Sequence, residues 1–204
     1  MMTPYLAARS FLRPTMKVFW RFQVAGAHNV PLKGPLIVAC NHVSYMDPVA
    51  LGVGCPRPLA YMAKVELFRM PLLGALITAL GAYPVEREKS ATAAIRRSVQ
   101  VLRSGGAVGI FPQGTRVRDS MAKAHTGVAM LALLSGAPVV PACVVGSARA
   151  ARLGQIKVAF GTPVSFVTSP GDRPKEKASR EELANWTIMV MDRIQTLAER
   201  TSGD

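Results

Sequence analysis

A single α/β domain, with a mostly parallel or mixed β-sheet between flanking helices, is predicted by three features of the sequence. Short apolar runs of strand length alternate with segments of helical period along most of the chain. At 204 residues the chain has the length of one medium domain, enough to bury roughly 70% of its unfolded surface. No internal repeat and no linker of shifted composition divides it.

The first element is the least ordinary. Residues 5–22 combine Tyr5, Leu6, Phe11, Leu12, Met16, Val18, Phe19, Trp20 and Phe22 with Arg9, Arg13, Lys17 and Arg21. The run is too broken for a signal peptide and has no small-residue cleavage site behind it. It is also too charged to span a bilayer, which takes about 20 apolar residues. A basic, aromatic-bearing amphipathic segment in the membrane interface fits this composition. A helix docking its apolar face on the domain's own core fits it equally. The expected division is therefore 1–22 as an N-terminal amphipathic membrane-interface segment and 23–204 as the α/β domain, with no transmembrane anchor before the fold.

Arg21 to Ala25 alternates like a strand, and the turn Pro31-Leu32-Lys33-Gly34-Pro35 leads into an apolar strand, Leu36-Ile37-Val38-Ala39. A helix opens at Asp47-Pro48, with Asp47 as an Asx N-cap and Pro48 at its first position. Leu59 to Ala63 reads as a further strand, ending at Lys64. Pro71 to Val85 is nearly all apolar yet too short to cross a membrane. It divides into a buried helix over 71–80, core or the wall of an acyl-chain tunnel, and a strand over 82–86 closing with Glu86-Arg87. Ser90 to Arg103 is an amphipathic helix stopped by Gly105-Gly106, and Ala107 to Phe111 is the strand after it. Gly127 to Ser135 is helical, Pro138 to Val145 is a buried strand interrupted by Pro141, and Ile156 to Phe160 is another strand. A polar loop, Thr168 to Lys177, precedes a last helix opened by a capping box, Ser179 with Glu182. Its apolar stripe is Leu183, Trp186, Val190, Ile194 and Leu197.

Charge narrows the partners. Lys and Arg number 25 against 12 acids, a net charge of +13, and no carboxylate occurs before Asp47. Such a surplus points to an anionic partner: a phosphate-bearing substrate, an acidic membrane surface or nucleic acid. No helix concentrates the basic residues and no aromatic platform or zinc spacing accompanies them, which argues against nucleic acid. The three cysteines, Cys40, Cys55 and Cys143, are isolated, so reduced thiols and no metal site are expected.

Two polar turns at strand ends carry the chemistry. After Leu36–Ala39 comes Cys40-Asn41-His42-Val43-Ser44-Tyr45-Met46-Asp47-Pro48. If Asp47 folds back it accepts a hydrogen bond from one imidazole nitrogen of His42 and leaves the other as a proton acceptor. Asp47 as a mere helix cap, and His42 as a polar residue satisfied by backbone, is the plainer alternative on that spacing. After Ala107–Phe111 comes Pro112-Gln113-Gly114-Thr115-Arg116, a planar guanidinium with small residues that let backbone N–H approach an anion. A base beside an anion cradle suits activation of a hydroxyl on a phosphate-bearing acceptor.

Asn41-His42-Val43-Ser44-Tyr45-Met46-Asp47-Pro48 resembles the N-H-x-x-x-x-D block of the lysophosphatidic acid (1-acylglycerol-3-phosphate) acyltransferases. Phe111-Pro112-Gln113-Gly114-Thr115-Arg116 resembles their F-P-E-G-T-R block. Lys64-Val65-Glu66-Leu67 with Pro71 to Arg87 is similar to a second block and Val139-Val140-Pro141 to a fourth, so the resemblance runs from about residue 20 to 165. It implies transfer of a fatty acyl group from a thioester, acyl-CoA or acyl-carrier protein, to the sn-2 hydroxyl of lysophosphatidate, with no further cofactor and no metal. His42 would be the base and Asp47 its partner. Arg116 would bind the acceptor phosphate in a cradle shaped by Gln113, Gly114 and Thr115. Lys64 and Arg87 would hold phosphate or developing negative charge, or else be solvated surface charges. The implied location is peripheral, on the cytoplasmic face of an anionic membrane. Gln113 departs from the pattern, which has glutamate there, and opens the acceptor headgroup to variation. A different lysolipid acceptor, or a non-catalytic lipid binder with no use for a base, are the rival readings.

Overall fold

Five successive apolar residues, Leu36–Cys40, form the middle strand of the sheet, and none of them is exposed. That is the signature of a strand covered on both faces. In the computed structural model, which describes residues 4–85, 91–113, 125–166 and 178–203, the elements follow in this order. Helix α1 (Pro4–Trp20) leads to strands β1 (Gln23–Ala25) and β2 (Leu36–Cys40), helix α2 (Met46–Gly54) and strand β3 (Ala60–Lys64). A short helix α3 (Val65–Phe68), helix α4 (Pro71–Ala79), strand β4 (Ala82–Val85), helix α5 (Ala91–Arg103) and strand β5 (Ala107–Ile110) come next. Helix α6 (Gly127–Ser135), strands β6 (Val139–Val145) and β7 (Lys157–Phe160) and the long helix α7 (Arg180–Gly203) complete the chain.

The strands make one mixed sheet in the order β1-β7-β6-β2-β5-β3-β4. Strands β6, β2, β5, β3 and β4 run parallel, β7 runs against β6, and β1 runs with β7. The pleat of β2 divides the core. Leu36, Val38 and Cys40 pack with Met16, Leu51, Val53 and Phe160 on one face, while Ile37 and Ala39 pack with Val99, Leu131 and Ile194 on the other. Arg57 pins the far end of the sheet by donating to the carbonyls of Pro31, Gly34 and Gly105 at 2.8–3.0 Å. Helix α7 starts with the expected box: Ser179 N–H donates to Glu182 Oε2 at 2.7 Å and Glu182 N–H to Ser179 Oγ at 3.0 Å.

Two expectations are corrected. The helix read as buried over 71–80 is α4, and among its residues only Gly74 is buried, while Leu72 is 90% exposed. It lies beside α1, α3 and the edge strand β4, and among the described residues no second layer covers its outer side. Pro141 does not interrupt the strand that contains it. Ile37 and Pro138 show that β6 turns its even-numbered residues toward β2, so Pro141 faces the β7 side. There β7 has already ended, and only the Pro141 carbonyl is used, accepting from Gly161 N–H at 2.7 Å. The smaller differences are shifts of one or two residues at element ends, as for β3. The polar loop 168–177 lies outside the described residues.

Helix α1 docks one face on the domain, as one of the two alternatives for its residues expects, and leaves apolar residues exposed on the other. Tyr5 and Met16 are buried on one face, with the Tyr5 hydroxyl donating to Gly52 O at 2.6 Å, and Phe11 and Val18 are more than 70% exposed on the other. No helix of the described residues is long and apolar enough to cross a membrane.

Candidate active site

Strands β2, β5, β3 and β4 are mutually parallel neighbours, so their C-terminal ends open on one edge of the sheet, where α/β proteins place ligands. Val38, Gly109 and Tyr61 lie on one rung. Three residues further along each strand are Asn41, Pro112 and Lys64, so the backbone of Lys64 reaches the level of both polar turns. Two strand spacings, about 10 Å, separate its strand from β2.

Nearly every polar group in the first turn has a partner. Asn41 closes it against β6, its amide donating to Val144 O at 3.0 Å and its oxygen accepting from Val144 N–H at 2.8 Å. Asp47 is fully buried, and its Oδ2 accepts three N–H groups: His42 Nδ1 at 3.0 Å, Val43 N at 2.6 Å and Ser44 N at 2.7 Å. A carboxylate oxygen only accepts, so His42 carries its proton on Nδ1. Its Nε2 makes no hydrogen bond among the described residues, and the side chain stays 17% exposed. The Asp47 N-cap is corrected: α2 begins two residues earlier, at Met46, its N-cap is Tyr45, and Asp47 sits inside the first turn. Its carboxylate reaches backward over residues 43 and 44 because those two N–H groups and the imidazole converge on it. The positive end of α2 favours the charge there.

The second turn meets the first directly. Gln113, 3% exposed, accepts the His42 backbone N–H on its Oε1 at 2.7 Å. Its side-chain oxygen, assigned from sequence to the substrate, is thus engaged within the protein as a strap between the turns. A glutamate would offer an acceptor in the same place, so the exchange keeps this bond and changes its charge. Phe111 stacks on the His42 ring with centroids 4.4 Å apart and 29° between planes, and Tyr61 stacks behind Phe111 at 6.4 Å. Gly109 makes room for this stack, since a Cβ there would overlap the Tyr61 ring. Sequence reasoning gave no role to Asn41, Phe111 or Tyr61. A signal was present for two of them, an asparagine and an aromatic flanking the two polar turns at strand ends.

Gly114, Thr115, Arg116 and Arg87 lie outside the described residues, as does the Lys64 side chain. Among the described residues no group of three or more His, Cys, Asp or Glu could hold a metal ion. Burial pushes the Cys40 thiol well above its ordinary range, with the Asp47 charge adding to it, and pushes the Cys55 thiol up to about 11. The cysteine nearest His42 is therefore a buried neutral thiol, and the free imidazole nitrogen is the basic group the turn presents.

Comparison with known proteins agrees with this geometry. The model of the family described as Acyltransferase matches residues 21–145, which contain both turns. A 1-acyl-sn-glycerol-3-phosphate acyltransferase of Bacillus subtilis is 32% identical over 185 residues, covering 87% of this chain and 88% of that protein. The enzyme of that name from Borreliella burgdorferi is 33% identical over 121 residues, 58% of this chain and 48% of its own length. Among solved structures, the 1-acyl-sn-glycerophosphate (LPA) acyltransferase PlsC of Thermotoga maritima superposes with a TM-score of 0.66 at 26% identity, over 93% of this chain and 80% of that one. The chain is an enzyme that belongs to the acyltransferase family, and the resemblance carried by its two strand-end turns holds.

Proposed function

We propose that this acyltransferase moves a fatty acyl group from an acyl thioester, acyl-CoA or acyl-carrier protein, to the sn-2 hydroxyl of lysophosphatidate, forming phosphatidate. The observation that carries the chemistry is the His42 Nδ1–Asp47 Oδ2 contact at 3.0 Å, with Oδ2 pinned by two further N–H groups. His42 Nε2 accepts the hydroxyl proton as the oxygen attacks the thioester carbonyl, and Asp47 stabilises the imidazolium. The tetrahedral adduct expels the thiolate, which takes that proton back from His42, so no covalent acyl-enzyme forms. Phe111 fixes the ring plane by stacking, and Gln113 fixes the backbone beneath it. Arg116 binds the acceptor phosphate, with Gly114 and Thr115 shaping the cradle, and Lys64 and Arg87 steady negative charge. The relatives' names support this acceptor. The protein works peripherally on an anionic membrane at the cytoplasmic face, with the outer side of α1 in the lipid.

Acyl-transfer assays with lysophosphatidate and both donors test the reading, and Arg116→Lys tests the acceptor. Lysine lacks the planar fork, and a lost charge-assisted contact is worth roughly 1.5–3 kcal/mol, so the KM for lysophosphatidate should rise by about one to two decades. The KM for the thioester should stay put. Equal weakening for donor and acceptor, or faster turnover on a lysolipid without a phosphate monoester, would remove this acceptor.

A further inference from the structure

We infer that the protein holds a second anion site, for the phosphate headgroup of a membrane phospholipid, in a groove between α1 and the β1–β7 edge of the sheet. This rests on α1 meeting a bilayer, as proposed above, and is independent of the acyl acceptor. The groove has a volume of about 460 Å³, and its charged lining is Arg13, Lys17 and Lys157, with no carboxylate among the lining residues. Arg13 and Lys17 have no hydrogen-bond or ion-pair partner among the described residues. Lys157 Nζ donates to Thr201 O near the C-terminal end of α7 at 3.3 Å, which fixes it in place and leaves two of its three donors. Gln23 donates its N–H to Ile156 O, so by strand alternation Val24 turns its own N–H to the open edge of β1.

Three cations from two elements and a free backbone donor around one groove suit an oxyanion with several acceptors, and a phosphate diester has that chemistry. The lipid source follows from α1. At 100° per residue, Tyr5 and Met16 share its docked face and Phe11 and Val18 its outer face. Arg13 and Lys17, four residues apart, occupy the flank between. With the outer face in the acyl region, that flank lies at headgroup depth.

The groove is separate from the His42 site. Cys40 is level with Ala142, and Lys157 pairs with Val145, so Lys157 stands level with residue 43 at the same end of the sheet. It lies two strand spacings from β2, about 10 Å, on the side away from Gln113. A headgroup held there would set the height of His42 above the bilayer.

The test is binding of the full chain to phosphatidylcholine vesicles with and without phosphatidylglycerol. Lys157→Met keeps the apolar stem, and should lower affinity for the anionic vesicles about fivefold while leaving the melting temperature unchanged. Arg13→Gln, Lys17→Gln and Lys157→Met together should lower it by about two decades. The control removes the same charge from α5 with Arg96→Gln, Arg97→Gln and Arg103→Gln, and should change little. Equal losses in control and groove variants would mean diffuse attraction and overturn the site. So would wild-type affinity in Lys157→Met. Thermal stabilisation by inorganic phosphate that Lys157→Met abolishes, with vesicle binding unmoved, would assign the groove to a soluble anion. If the wild-type chain binds no vesicle, the attachment reading itself falls and takes the groove with it.

Discussion

The His42 turn and helix α1 present opposite chemistry. In the turn, a fully buried carboxylate oxygen gathers three N–H groups, and Gln113 and Asn41 strap the backbone on either side. In α1, Phe11 and Val18 face solvent while side-chain hydrogen bonds from Tyr5 to Gly52 O, Arg9 to Val53 O and Trp20 to Ala150 O tie the helix to the body. The turn works through satisfied, buried polarity, so losing one atom propagates to the reacting nitrogen. In the proposed attachment, the helix works through surface that an isolated globule would hide, so losing that surface should spare the chemistry. Changes in one region should therefore leave the other's property intact, and each prediction below tries to break that separation.

The largest effect belongs to His42. His42→Ala removes the proton acceptor and should lower kcat about 10²–10⁴-fold, with vesicle binding and fold intact. Asp47→Asn should lose about as much activity, because the amide no longer dictates the Nδ1–H tautomer. It should also lower stability by about 1–3 kcal/mol. If the amide oxygen keeps the three donors, its NH₂ falls where Oδ1 now sits, buried and with no partner among the described residues. Turnover assays and thermal melts measure both. A folded His42→Ala protein with substantial activity would mean that another group takes the proton.

How far the sequence foretold each region follows from the same contrast. His42, Asp47 and the sheet edge were readable because a short run fixes them locally: an apolar strand, then a polar turn, then a helix start. The reach of Asp47 back to Val43 and Ser44 was not, since an Asx residue at a helix start is equally an N-cap, and only the path of residues 43–46 decides. The Gln113–His42 strap was hidden because it joins positions 71 apart in the chain. Helices α4 and α6 show the limit of composition. Both are nine-residue apolar helices, yet α6 buries Val128, Ala129, Leu131 and Ala132 while α4 buries only Gly74. Neighbours decide burial: α6 packs against β2, α5 and α7, whereas α4 stands beside the sheet's last strand.

The second effect belongs to α1. Replacing Phe11, Val18 and Phe19 with serine together should reduce partition onto anionic vesicles by about two decades, at about 1 kcal/mol or somewhat less for each partly inserted side chain. kcat on a short-chain, freely soluble lysophosphatidate should be unchanged, because none of the three takes part in the described contacts of the His42 turn. A parallel fall in that soluble-substrate kcat would show that α1 shapes the reacting site and would break the separation.

The smallest effect belongs to Gln113, where the turn's own wiring is tested without touching the base. Gln113→Glu keeps an acceptor for the His42 N–H and should hold kcat within a few-fold of wild type. Gln113→Leu keeps the bulk and removes the acceptor, leaving that N–H without its partner. Loss of a hydrogen bond of this kind costs about 1–3 kcal/mol in stability. Some of that loosening should reach the hydrogen bond between His42 and Asp47, lowering kcat about tenfold and leaving the thioester KM alone. The two substitutions separate strap from substrate contact. If the Gln113 side chain met the acceptor headgroup directly, the added charge of glutamate beside a phosphate would raise the acceptor KM more than leucine does. If it straps the two turns, leucine is the damaging change, in kcat and melting temperature together, while vesicle binding stays at the wild-type level. Gln113→Leu with full stability and full turnover would remove the strap and return Gln113 to the substrate.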